Sequence, residues 1–125
     1  MELPDTPELA CICVSAKYAP DVLRECLKKG VKAAIILSAG FSEYDEEGKR
    51  LEREIVDIAR QGIRVMGPNC FGAYCPAGRV TVVPGGHFPK EAGGVALLTQ
   101  SGQLAEGITA PAFGEGVRYS KVASY

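Results

Sequence analysis

The chain has 125 residues, 46% of them hydrophobic, and a formal net charge of -1 at pH 7, so it is long enough for one ordinary core or for parts of two. The near-neutral charge, with Lys and Arg dispersed, removes the electrostatic case for nucleic acid. No apolar run approaches the roughly 18 residues of a membrane span and the acidic N-terminus is not a signal peptide, so a globular cytoplasmic protein is expected, with no membrane partner.

Met1 to Glu8, with two prolines and three acids, reads as a loop leading in. Ala10-Cys-Ile-Cys-Val14 is the first expected strand, ending in the polar turn Ser15-Ala16-Lys17. Pro20 then suits a first helical turn, Val22, Leu23, Cys26 and Leu27 form one apolar stripe, and Gly30 stops the helix behind Lys28 and Lys29. The unit repeats. Ala33-Ala-Ile-Ile-Leu37 is a second buried strand, ending in Ser38-Ala39-Gly40-Phe41. An acidic, mobile-looking segment from Ser42 to Gly48 leads into a helix with Leu51, Ile55, Ile58 and Ala59 on one side, closed by Gly62. Ile63-Arg-Val-Met66 is the third strand.

Strands separated by one helix each pair in parallel, which makes residues 1–66 part of a doubly wound α/β sheet. Ligands of such sheets bind beyond the carboxyl ends of the strands. The turns that matter are therefore Ser15 to Lys17, Ser38 to Phe41 and Gly67 to Gly72. By residue type alone, the first is equally an ordinary polar loop, and a strand-ending glycine has many uses.

From 67 to 93 the periodicity disappears among Pro68, Pro76, Pro84, Pro89 and many glycines, with only Val80 to Val83 as a short strand. This composition predicts a connection between domains. Val95 to Leu98 is an unbroken apolar run that fits a strand buried on both faces of a parallel sheet. Thr99, Gln100, Ser101 and Gly102 then turn the chain, and Leu104 and Ile108 restart apolar positions at helical spacing. Backbone N–H groups at such a turn, with the helix dipole, suit a phosphate, and Gly102 would let the anion approach; Ser-Gly at this place is also an ordinary N-cap. Pro111 should shorten or bend the helix, and Tyr119 to Tyr125 should pair beside Val95 to Leu98.

Cys11, Cys13, Cys26, Cys70 and Cys75 follow no regular framework, and His87 is the single histidine, so no zinc spacing exists and no metal is expected. Cys11 and Cys13 should share one side of the sheet as small buried apolar groups. Cys70 lacks a histidine base near it in sequence, which points to a structural role at a hinge, and His87 reads as a surface loop residue. No catalytic residue is expected. Nothing of the G-x-G-x-x-G kind precedes Ala10, so the polypeptide reads as an excerpt, or a descendant, of something longer.

Four stretches, Ile12-Cys-Val-Ser-Ala-Lys17, Ala34-Ile-Ile-Leu-Ser-Ala-Gly-Phe41, Ile63-Arg-Val-Met-Gly-Pro-Asn-Cys-Phe-Gly72 and Val95-Ala-Leu-Leu-Thr-Gln-Ser-Gly102, together resemble the NDP-forming acyl-CoA synthetases. That family includes ADP-forming acetate–CoA ligases and the α subunit of succinyl-CoA synthetase. The resemblance implies that residues 1–66 are the C-terminal part of a CoA-binding Rossmann-like domain. It makes 67–93 an interdomain connection and 94–125 the N-terminal part of a flavodoxin-like domain. The implied reaction interconverts acyl-CoA, phosphate and NDP with free acid, CoA and NTP, through an acyl phosphate and a phosphohistidine.

Carried over by position, Ser15, Ala16 and Lys17 border the CoA nucleotide, Ser38, Ala39 and Gly40 line its path, Asn69 and Cys70 sit at the domain junction, and Gln100, Ser101 and Gly102 hold the phosphate. Ser15 stands where the family usually has proline, and Thr99 where it commonly has serine. The catalytic histidine motif and the ATP-grasp domain or subunit of the family are missing, so the chain alone is expected to be inactive and to bind CoA poorly. The competing expectations are a non-catalytic CoA-sensing or acyl-CoA-sensing module, as in acetyltransferase fusions, and a homodimer formed through exposed sheet edges.

Overall fold

In the computed structural model, which describes residues 4–83 and 88–125, three strands open the chain. They are β1 (Leu9–Ile12), β2 (Ala33–Ile36) and β3 (Arg64–Met66). They pair in parallel in the order β1-β2-β3, with Cys11 opposite Ile35 and Ile35 opposite Met66. Helix α1 (Ala19–Lys29) joins the first two and α2 (Glu46–Ala59) the last two. Leu23 of α1 and Leu51, Ile55 and Ile58 of α2 share one core with Ile12, Ala34 and Ile36, so both helices cover the same face of the sheet.

The helix ends follow from sequence. Pro20 and Asp21 occupy the first turn of α1 and Lys28 and Lys29 its last, as the helix dipole favours. Gly30, at φ 86, donates its N–H to the carbonyls of Cys26 and Leu27. Before α2 the Asp45 carboxylate accepts the Gly48 N–H at 2.7 Å and caps the helix.

Cys11 and Cys13 are exposed rather than buried. The reason is topological: β1 is an edge strand, and both helices lie against the face to which Ile12, not Cys11, belongs.

Residues Cys70–Tyr125 form a second compact unit, separate from Met1–Asn69. Its strands are β4 (Ala73–Cys75), β5 (Val80–Val82), β6 (Val95–Thr99) and β7 (Tyr119–Ser124), in the order β5-β4-β7-β6. β6 and β7 are parallel, as expected, while β4 runs antiparallel to both β5 and β7. The stretch 67–93 is thus more than a connection, because it contributes a hairpin to this sheet. Three-residue strands are too short to show a period, but Tyr74 anchors β4: it is buried, its hydroxyl donates to the Pro89 carbonyl at 2.6 Å, and its ring lies against Phe88 and Phe113.

Helix α3 (Gly102–Gly114) runs through Pro111 without being cut short. Its buried positions are Ala105 and Thr109, whereas Leu104 and Ile108 are 52% and 41% exposed, so the expected apolar face is the outer one. β6 is an edge strand with Val95 and Leu98 exposed, not a strand buried on both faces. His87 lies outside the described residues. Among the described residues no helix is long and apolar enough to cross a membrane.

Candidate functional site

The carboxyl ends of β1, β2 and β3 each release a short loop, and two contacts draw the three together. Gly40 follows β2 at φ +101, and a Cβ built there would lie 3.3 Å from the Ala16 Cβ, so the second loop presses on the first. The Asn69 N–H donates to the Ser38 carbonyl at 2.9 Å, which ties the third loop to the second. Asn69 itself is left-handed, φ 52, a conformation that asparagine tolerates better than most residues. Ser15, Ala16, Lys17, Ser38, Ala39, Gly40 and Asn69 are thereby gathered along one rim. Within it, Ser15 caps a 3-10 turn over Ala16–Tyr18 through its carbonyl, which accepts from the Tyr18 N–H at 2.9 Å, and Lys17 holds its ammonium 4.7 Å from the centre of the Tyr18 ring.

Two carboxylates not singled out from the sequence shape this rim. Glu43 accepts from the Gly40 N–H at 2.6 Å and from the Phe41 N–H at 3.2 Å, and Glu52 of α2 accepts from the Ser42 N–H at 3.0 Å. Partial burial pushes the Glu43 carboxyl up, but the N–H groups of Gly40, of Glu43 itself and of Phe41 outweigh it and hold the group below the usual glutamate range. The available signal was a glutamate three residues beyond a strand-ending glycine. The Ser38 hydroxyl oxygen is buried without a hydrogen-bond partner among the described residues, at a cost of about 1–3 kcal/mol that a ligand group could relieve.

In the second unit, Thr99 and Ser101 build the turn into α3. The Ser101 N–H donates to the Thr99 hydroxyl at 3.1 Å, and the Ser101 hydroxyl accepts from the Leu104 N–H at 3.1 Å. Ser101 is therefore the N-cap, and the N–H groups of Gly102 and Gln103 remain as the donors that this helix end does not use itself. Gln100 is exposed beside them. Gly102 has a packing reason to be glycine: an added Cβ would come within 2.6 Å of the Phe71 Cβ. Phe71 in turn donates its N–H to the Ser124 hydroxyl at 2.5 Å, so the start of this unit and the end of β7 fix the floor under the turn.

Two other groups of residues take no part in the rim. A mainly apolar cleft of about 480 Å³ along β1 and α1 is lined by Pro7, Ala10, Val22, Cys26 and Val31, towards the amino ends of the strands. Burial raises the Cys11 and Cys26 thiols, the reverse of what a reactive thiolate needs. No cluster of His, Cys, Asp or Glu among the described residues fits a metal ion.

A parallel sheet with both helices on one face and three loops joined beyond its strand ends defines a Rossmann-like ligand-binding domain. The chain belongs to the CoA binding domain family, whose profile matches residues 2–76. Over 107 residues it is 47% identical to acetate–CoA ligase (ADP-forming) I subunit alpha of Pyrococcus furiosus, a match that takes in 83% of this chain and 22% of that one. A crystal structure of a Pyrococcus horikoshii protein agrees with a TM-score of 0.89 at 39% identity, over 98% of this chain and 28% of that one. The dinucleotide forming acetyl-coenzyme A synthetase 1 of Ca. Korarchaeum cryptofilum, in complex with phosphate and ADP, gives a TM-score of 0.85 at 32% identity, over 98% of this chain and 26% of that one. The chain spans about a quarter of the length of these relatives.

Proposed function

We propose that this chain is the CoA-holding portion of an NDP-forming acid–CoA ligase. That enzyme converts acyl-CoA, phosphate and NDP to free acid, CoA and NTP. The observation that carries the reading is the joined rim, where Gly40 rests on Ala16 and Asn69 binds Ser38; ligase relatives matched over nearly the whole chain favour it over a sensing module. Ser15, Ala16 and Lys17 border the CoA nucleotide, with Lys17 supplying positive charge, and Ser38, Ala39, Gly40 and Asn69 line the path of the coenzyme. Residues 1–66 belong to the CoA-binding domain, and 94–125 begin a flavodoxin-like one whose Gln100, Ser101 and Gly102 turn receives phosphate through the Gly102 and Gln103 amides.

Nucleotide binding belongs to an ATP-grasp partner, the enzyme works in the cytoplasm, and the exposed β6 edge supports pairing between two copies. Amide chemical shifts of the 15N-labelled chain titrated with CoA test the reading. The expected result is saturable shifts at Lys17, Ser38 and Gly40 with an affinity weaker than micromolar. A rim unmoved by millimolar CoA would overturn it.

A further inference from the structure

The loop after β2 carries three consecutive amides, those of Gly40, Phe41 and Ser42, and all three already donate to the protein's own carboxylates, Glu43 and Glu52. A phosphate at a strand end needs such N–H donors and is repelled by a carboxylate in the same place. This loop therefore offers an anion neither donors nor favourable potential. Its shape is held from two further sides, by Ala16 against Gly40 and by the Asn69 N–H on the Ser38 carbonyl. What it leaves without a partner among the described residues is a neutral group, the buried Ser38 hydroxyl.

Resting on the CoA reading above, we infer that Glu43 is a positioning residue that closes the Gly40 and Phe41 amides to phosphate and reserves this loop for an uncharged, hydrogen-bonding part of CoA. Both the adenosine and the pantetheine arm have that chemistry. The charged part of the coenzyme lies elsewhere, towards cations such as Lys17.

The test is amide chemical-shift titration of the 125-residue chain with CoA, adenosine, pantetheine and inorganic diphosphate, in wild type, Glu43→Gln and Glu43→Ala. In wild type, CoA and one of the two neutral fragments shift Ser38 to Phe41, which identifies the arm, and diphosphate leaves these amides in place. Glu43→Ala weakens CoA about tenfold, Glu43→Gln by less than about threefold because one acceptor oxygen remains. In Glu43→Ala, diphosphate newly shifts Gly40 and Phe41, which a general loss of packing does not produce, and their amide hydrogens exchange faster without any ligand while those of β2 and α2 keep their protection. Diphosphate shifting the wild-type loop, or a Glu43→Ala chain that binds CoA as wild type does and still excludes diphosphate, overturns the inference. If no form binds CoA, the CoA reading fails, while the diphosphate and exchange measurements still decide whether Glu43 guards the amides.

Discussion

Gly40 and Gly102 show how two glycines at strand ends can be fixed by different constraints. Gly40 has both a left-handed φ of +101 and a neighbour 3.3 Å from its absent Cβ. Gly40→Ala is expected to cost about 1–3 kcal/mol in chemical denaturation and to weaken any ligand of the rim. Gly102 is constrained by Phe71 alone. Gly102→Ala should cost about 1–3 kcal/mol through overpacking against the Phe71 Cβ, and Phe71→Gly in the same chain, which removes that Cβ, should return part of that loss. Independent, additive losses in the double variant would show that the glycine serves something other than packing.

Glu43 also predicts a response to acid. Its folded-state pKa lies below the unfolded glutamate value of about 4.3, so the folded chain binds fewer protons there. The stability it contributes is complete above that value and is lost as pH falls through the lower folded one. Thermal unfolding followed downward from pH 5 should therefore fall more steeply in wild type than in Glu43→Gln. Equal slopes would show that the amide bonds do not hold the carboxylate in solution. Ser38 and Gly40 were legible as strand-end residues because strand ends follow from local pattern. Glu43 was not, because its importance depends on the direction in which two backbone N–H groups point.

At the scale of elements, α2 and α3 place their glycines differently. Gly48 lies in the first turn of α2, where an added Cβ would meet the Phe41 carbonyl at 1.9 Å, whereas Gly107 in α3 has open space around it. Gly48→Ala should thus lower stability by about 3 kcal/mol or more, as a backbone must shift, while Gly107→Ala should raise it by about 0.5–1 kcal/mol through helix propensity. Urea denaturation of the two variants gives opposite signs if the packing is as described. Asp45→Ala should cost about 1 kcal/mol as a lost N-cap. Both helices are visible in the sequence, but of the two only α2 turns its large apolar residues inward. Its Leu51, Ile55 and Ile58 are large and well spaced, while α3 buries Ala105 and Thr109 and leaves Leu104 and Ile108 outside. Small residues allow close approach to a sheet, and hydrophobicity alone does not reveal that.

For the molecule as a whole, the exposed apolar side chains matter most: Val95 and Leu98 on the edge strand β6, and Leu104 and Ile108 on α3. An open strand edge with apolar neighbours favours pairing between copies. Light scattering should show a mass that rises with concentration, and Leu98→Lys with Ile108→Lys should suppress the rise. A mass fixed at that of one chain throughout would remove self-association from the account.

The sequence by itself determined the three parallel strands of residues 9–66, the helices between them and the loops at their carboxyl ends, since helical and strand periods and glycine stops are local properties. It also carried enough of the family pattern in Ser38 to Phe41 and Gly67 to Gly72 to point to CoA. Tertiary structure alone decided that β4 and β5 join the second sheet, that β1 and β6 stand at edges, and that Glu43 and Glu52 occupy the amides after β2. Each of these depends on which distant segment supplies a hydrogen bond or covers a face, and no short stretch of sequence encodes that.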